Sequence, residues 1–194
     1  MTPSPLLDNL IYDTPRGRGE QGRSSSVCWA DRYQRFPETP ERFDRELCVL
    51  GCEGFTTGWH WWEVTVQEAD DIPAWVKACW AIGVAKESVR RKGSFQMSPK
   101  VGIWAMGRSG GESYAFSMVW QPLSLQSRLR RLQVRLDYEA GKVEFLDMET
   151  DISLYTFWTG PLLGEMLRPF FYLGKEGVTL QCEEFPRPIK DLRD

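Results

Sequence analysis

Apolar side chains recur at every second position over most of the chain, the spacing that buries one face of a β-strand. The cleanest instance is Arg131 to Tyr138, where Leu132, Val134, Leu136 and Tyr138 fall on one side and Gln133, Arg135 and Asp137 on the other. Glu139-Ala140-Gly141-Lys142 follows as a turn, with Gly141 able to take a positive φ. Val143-Glu144-Phe145-Leu146 then returns, so the segment predicts a hairpin with one wet face. Trp80-Ala81-Ile82-Gly83-Val84-Ala85 alternates large with small, which lets a neighbouring layer come close to the Ala81, Gly83, Ala85 face. Between Gly58 and Val66, His60, Trp62, Val64 and Val66 share one side while Trp59, Trp61, Glu63 and Thr65 share the other. An indole on both sides predicts a strand covered on two faces. Further strands are expected at about 27–30, 47–50, 101–106, 112–118, 152–157, 169–173 and 177–182, with one helical turn near Lys86–Arg91. Residues 1–26, rich in Pro, Gly and Ser, read as loop or arm.

Composition narrows the class. With 194 residues, 42% hydrophobic and 26% charged, the chain suits a single core. No run of eighteen apolar residues exists, which excludes a membrane-spanning helix. Met1-Thr2-Pro3-Ser4-Pro5 also lacks the charged-then-apolar order of a secretory leader, so the expected location is the cytoplasm. A net charge of −3 has the wrong sign to gather a polyanion, and no nucleic-acid partner is expected. The five cysteines (Cys28, Cys48, Cys52, Cys79, Cys182) show no C-x-x-C spacing and have one histidine to help them, so they read as reduced small hydrophobes, with no metal and no cofactor. Nine tryptophans are the compositional anomaly.

Catalytic constellations are absent from the pattern. His60, the only histidine, shares its face with Trp62 and Val64, and no G-x-S-x-G accompanies it, so it reads as a core histidine. Asp70-Asp71 and Glu183-Glu184 are adjacent pairs whose members point to opposite sides of a strand, unlike the facing carboxylates of sugar hydrolysis. Gly107-Arg108-Ser109-Gly110-Gly111 lacks the Lys-Ser/Thr of a phosphate loop and leads into strand-like Tyr114-Ala115-Phe116, the mark of a hairpin turn. Trp62, Trp80 and Trp104 sit on inward phases and read as core.

Three blocks in register carry a resemblance. Phe36-Pro37-Glu38-Thr39-Pro40-Glu41-Arg42-Phe43-Asp44 precedes Cys48-Val49-Leu50-Gly51-Cys52-Glu53-Gly54-Phe55-Thr56-Thr57-Gly58-Trp59-His60-Trp61-Trp62-Glu63-Val64. Trp80 to Gly93 comes next, and then Leu136-Asp137-Tyr138-Glu139-Ala140-Gly141-Lys142-Val143 with Leu154-Tyr155-Thr156-Phe157. Together they resemble the B30.2 (PRY-SPRY) domain of tripartite-motif proteins and butyrophilins. The resemblance implies an all-β fold, a bent two-sheet antiparallel β-sandwich of the concanavalin-like jelly-roll, SPRY type. It divides the chain into an arm at 1–24, a domain at 25–188 (PRY-like to about 65, SPRY from 66) and a tail at 189–194. The chain departs from the family at Trp59, where Arg or Lys is usual, in a lengthened Gln67–Cys79 link, at Ala81, and in residues 1–23, which lack the usual opening strand.

The implied function is non-catalytic recognition of a protein or peptide by loops around 29–36, 67–79, 106–113, 158–166 and 174–177, acting as one surface. The residues expected on it are Trp75, Ala81, Met106, Arg108, Tyr114, Trp158 and Lys175: indoles, phenol and guanidinium combine flat apolar area with donors. In tripartite-motif ligases such a domain recognises the substrate. The alternative is a butyrophilin-type sensor holding a small phosphorylated ligand on Lys92 and Arg108. No enzymatic activity is expected of these residues.

Overall fold

The computed structural model describes residues 10–13, 24–29, 37–69, 78–125, 128–174 and 177–183. The alternating segments become strands β1 (Leu10–Asp13), β2 (Ser24–Trp29), β3 (Cys48–Leu50), β4 (Trp59–Glu68), β5 (Trp80–Lys86), β6 (Ile103–Ser109) and β7 (Glu112–Ala115). They continue as β8 (Gln121–Pro122), β9 (Arg131–Asp137), β10 (Lys142–Asp147), β11 (Ile152–Trp158), β12 (Leu167–Leu173) and β13 (Val178–Glu183). One sheet runs β1-β2-β13-β4-β9-β10-β11 and the other β3-β12-β5-β6-β7-β8, with every ladder antiparallel. The expected two-sheet sandwich is what the chain builds, and residues 10–13 of the arm form an edge strand on β2.

The core lies between the sheets. Trp62, Val64 and Val66 of β4, Leu132, Val134 and Leu136 of β9, and Val143 and Phe145 of β10 meet Trp80, Ile82 and Val84 of β5 and Trp104 and Met106 of β6. The opposite face of β4 is not covered: Trp59 is exposed and Trp61 half-buried, so the expectation of two buried faces fails there. A sandwich needs only one inward face, and the second indole side is an outer surface.

On the six-stranded sheet, by contrast, both faces are covered. Phe43, Val89, Phe116 and Phe170 form a second apolar layer against Ala81, Ala85 and Ala105, so all of β5 but Lys86 is buried. This is the close approach that the large-small alternation predicts. The helical turn expected at Lys86–Arg91 is a plain turn, and the described helical residues are a 3-10 turn at Pro99–Val101.

Thiol reactivity follows from this layering. Burial pushes the Cys182 thiol up to about 12 and raises that of Cys48, whereas Cys52 is exposed. Disulfide exchange with an aromatic disulfide reagent at pH 8 is expected to modify Cys52 at least about 100-fold faster than Cys48 and Cys182, which react only after denaturation. Equal rates in the native protein would contradict the assigned burial.

Candidate recognition surface

At one end of the sandwich, β6 and β7 are joined by Gly110 and Gly111, both at positive φ (63° and 92°), the two-residue turn whose twist suits a tight hairpin. Arg108, at the end of β6, donates to the Gly111 carbonyl (Nη2, 3.2 Å) and reaches across to Glu68 on the other sheet (Nη1 to Oε1, 3.5 Å). Arg128 pairs with the second oxygen of the same carboxylate, whose side chain is only 5% exposed. Glu68 thus ties β4, β6 and the β8–β9 connection together. Beside this knot opens a cleft of about 610 Å³, lined by Arg108, Glu112, Ser113, Leu123, Leu125 and Arg128, among others. Tyr114 packs at 5.8 Å on Trp120, and its hydroxyl donates to Glu112 (2.7 Å), which holds the phenol protonated beyond its usual range. Met118 and Val119, 64% and 83% exposed, project from the loop that follows β7.

A different surface occupies the other end. Cross-strand partners share a face, and the register runs Trp59–Asp137–Lys142–Trp158 across β4, β9, β10 and β11. Trp59 is 53% and Trp158 68% exposed, so two indoles stand in one row, about 14 Å apart over three strand spacings, on the outside of the seven-stranded sheet. Between them Asp137 caps its own turn (Ala140 N–H, 2.9 Å) and Lys142 pairs with Glu144 (3.3 Å). Trp61 lies on the same face, two residues along β4.

Comparison with known proteins decides the family. The SPRY domain model matches residues 59–185 and the SPRY-associated (PRY) model residues 24–55. The chain belongs to the B30.2 (PRY-SPRY) family. Among curated relatives it is 42% identical over 160 residues to butyrophilin subfamily 1 member A1 of Bos taurus, covering 81% of this chain and 29% of the relative. It is 39% identical over 149 residues to the E3 ubiquitin-protein ligase TRIM58 of Mus musculus, covering 76% of this chain and 29% of that protein. The chain therefore spans under a third of these relatives' length. The crystal structure of the TRIM65 PSpry domain superposes with a TM-score of 0.63 at 24% identity, over 90% of this chain and 88% of that one, a likeness of fold.

This B30.2 domain does not gather the expected residues into one surface. Arg108 is bound to Glu68 at the far end of β4 while Trp158 shares its row with Trp59 at the near end, and the ten residues of β4 span about 30 Å. Ala81 and Met106 have no exposed surface: Ala81 lies under the second apolar layer and Met106 in the core, so neither can touch a partner directly. Trp75 and Lys175 lie outside the described residues, as do Asp70, Asp71 and Glu184. Lys92 donates to the carbonyls of Thr39 and Arg42 (both 2.8 Å) beyond the C-terminal end of β5, whereas Arg108 pairs with Trp80 at its N-terminal end. The seven residues of β5 span about 20 Å, so the two cations of the anion-sensor reading are not brought together. His60 stacks on Phe55 (4.0 Å) with Nε2 at 2.7 Å from the Thr57 carbonyl, a structural use of the ring. Trp59, which the sequence offers as an interface anchor behind Trp75 and Trp158, is exposed, as are Met118 and Val119, which no local pattern singles out. For Trp59 a signal existed, since it breaks the family's basic preference on a polar phase.

Proposed function

We propose that this B30.2 domain is a non-catalytic protein-recognition module that binds a protein or peptide partner in the cytoplasm. By analogy with its ligase relative, it would present substrate to a ubiquitin-transfer machinery located outside these residues. What supports this reading most is the Trp59–Trp158 row. Two indoles more than half exposed on a rigid sheet lose solvation free energy unless a partner covers them, and tryptophan is the residue type that most often dominates such contacts. The cleft lined by Arg108, Glu112 and Arg128 adds a second contact region with polar edges.

The Trp59→Ala/Trp158→Ala double variant is expected to unfold within about 1 kcal/mol of the parent, because neither ring is in the core. In quantitative affinity capture, the partners held by the parent should fall at least about tenfold. Undiminished recovery of every partner would refute the row as the recognition surface.

A further inference from the structure

Four strands end the two sheets, and three of them are guarded. β3 has three residues, β8 has two and ends on Pro122, and β1 has four and ends on Asp13; shortness, proline and charge all resist pairing with another chain. β11 is different, because Ile152-Ser153-Leu154-Tyr155-Thr156-Phe157-Trp158 runs for seven residues without a charge or a proline. Its one irregularity is a bulge opposite the step from Phe145 to Leu146, where Leu154 is the extra residue. From Tyr155 to Trp158 the register with β10 is regular.

Thr159 N–H donates to the Gly141 carbonyl (2.8 Å), and bonded pairs recur at every second position of an antiparallel ladder, so Phe157 and Tyr155 turn their backbone groups to β10. Those of Thr156 and Trp158 point outward, and among the described residues nothing pairs with them. The segment around Thr156 is also its own complement. Tyr155 and Phe157 flank it on the core face, their rings 4.7 Å apart, while Thr156 shares the outer face with Glu144. Read in either direction the order is aromatic, threonine, aromatic, and threonine opposite threonine and aromatic opposite aromatic are pairs that stabilise neighbouring strands.

We propose that β11 pairs with β11 of a second copy of this chain, antiparallel about a two-fold axis at Thr156, joining the two seven-stranded sheets edge to edge. Each Thr156 then exchanges both of its outward main-chain bonds with the other, and each Tyr155 stands opposite the second copy's Phe157. The chain carries a net charge of −3, yet the strand itself is neutral, so like charges do not meet across this contact. A two-fold axis normal to the sheet keeps both outer faces on one side. Both indole rows therefore share a continuous surface, with the two Trp158 positions four residues, about 13 Å, apart along the strands. A partner carrying two copies of its motif would be held at both rows at once. The pairing itself does not depend on what the rows bind.

Sedimentation equilibrium of the full chain is expected to show a monomer–dimer exchange with Kd below about 100 μM, in the weak range of a small interface. Thr156→Lys and Thr156→Glu each set like charges face to face and should weaken the dimer at least about tenfold. Mixing the two variants in equal amounts should restore it, because lysine then faces glutamate, a rescue that only this register provides. In the parent protein, the Thr156 amide should become protected from solvent exchange as concentration rises through Kd, with no such change at Leu50 on the β3 edge. A parent still monomeric at about 1 mM, single variants that associate as the parent does, or a mixture that stays monomeric would overturn the proposal. Absence of protection at Thr156 in the dimer would do so as well, and that measurement stands even if a variant fails to fold.

Discussion

Gly83→Ala is expected to destabilise the domain by about 3 kcal/mol and to lower Tm by roughly 6–12 °C. A Cβ at this position lies 2.1 Å from the Trp104 carbonyl oxygen and 2.7 Å from Ala105 Cα, backbone atoms of the adjacent strand that cannot turn aside. Relief requires β5 and β6 to separate at the centre of the six-stranded sheet, where each face is already packed. Gly110→Ala is the useful comparison. Nothing lies within 4 Å of its Cβ, but φ is +63°, so only the left-handed backbone is penalised, by about 1 kcal/mol. Urea unfolding of the two variants separates steric from conformational cost; a Gly83→Ala loss below that of Gly110→Ala would mean that β5 and β6 are not as close as described.

Glu68→Gln is expected to cost about 2 kcal/mol, because one nearly buried carboxylate neutralises both Arg108 and Arg128. The loss stays below the full cost of breaking a buried pair, since Arg128 is 52% and Arg108 25% exposed and both can turn to water. Combining Glu68→Gln with Arg108→Gln should cost clearly less than the two single changes added together, the mark of groups that act on each other. Strict additivity in denaturant titrations would show that the contact across the sheets contributes nothing. Exchange of amides along the β6–β7 hairpin should quicken in Glu68→Gln, tying the carboxylate to the order of the cleft.

Much of the fold is legible in the sequence because strand formation is written in neighbouring residues. The period-two runs at Arg131–Tyr138 and Trp80–Ala85 appear as β9 and β5, and Gly141 takes the positive φ (63°) its turn needs. The second apolar layer is foreshadowed by the small face of β5, although which residues cover it, Phe43, Phe116 and Phe170, depends on segments far away in the chain. The surfaces are less legible for the same reason. Whether Trp158 stands beside Trp59 or beside Arg108 is set by register across four strands, including the shift between Phe145 and Leu146, and no local pattern encodes it. Ala81 is the plainest case: its small size admits the neighbouring apolar layer, so a side chain expected at a partner is buried. The shared carboxylate of Glu68 was hidden likewise, since it joins three segments widely separated in sequence.

Ser24, where β2 starts, is paired with Glu183, where β13 stops. Leu10, where β1 starts, is paired instead with Trp29 at the opposite end of β2, so tension between Leu10 and Glu183 acts along the strands and not across them.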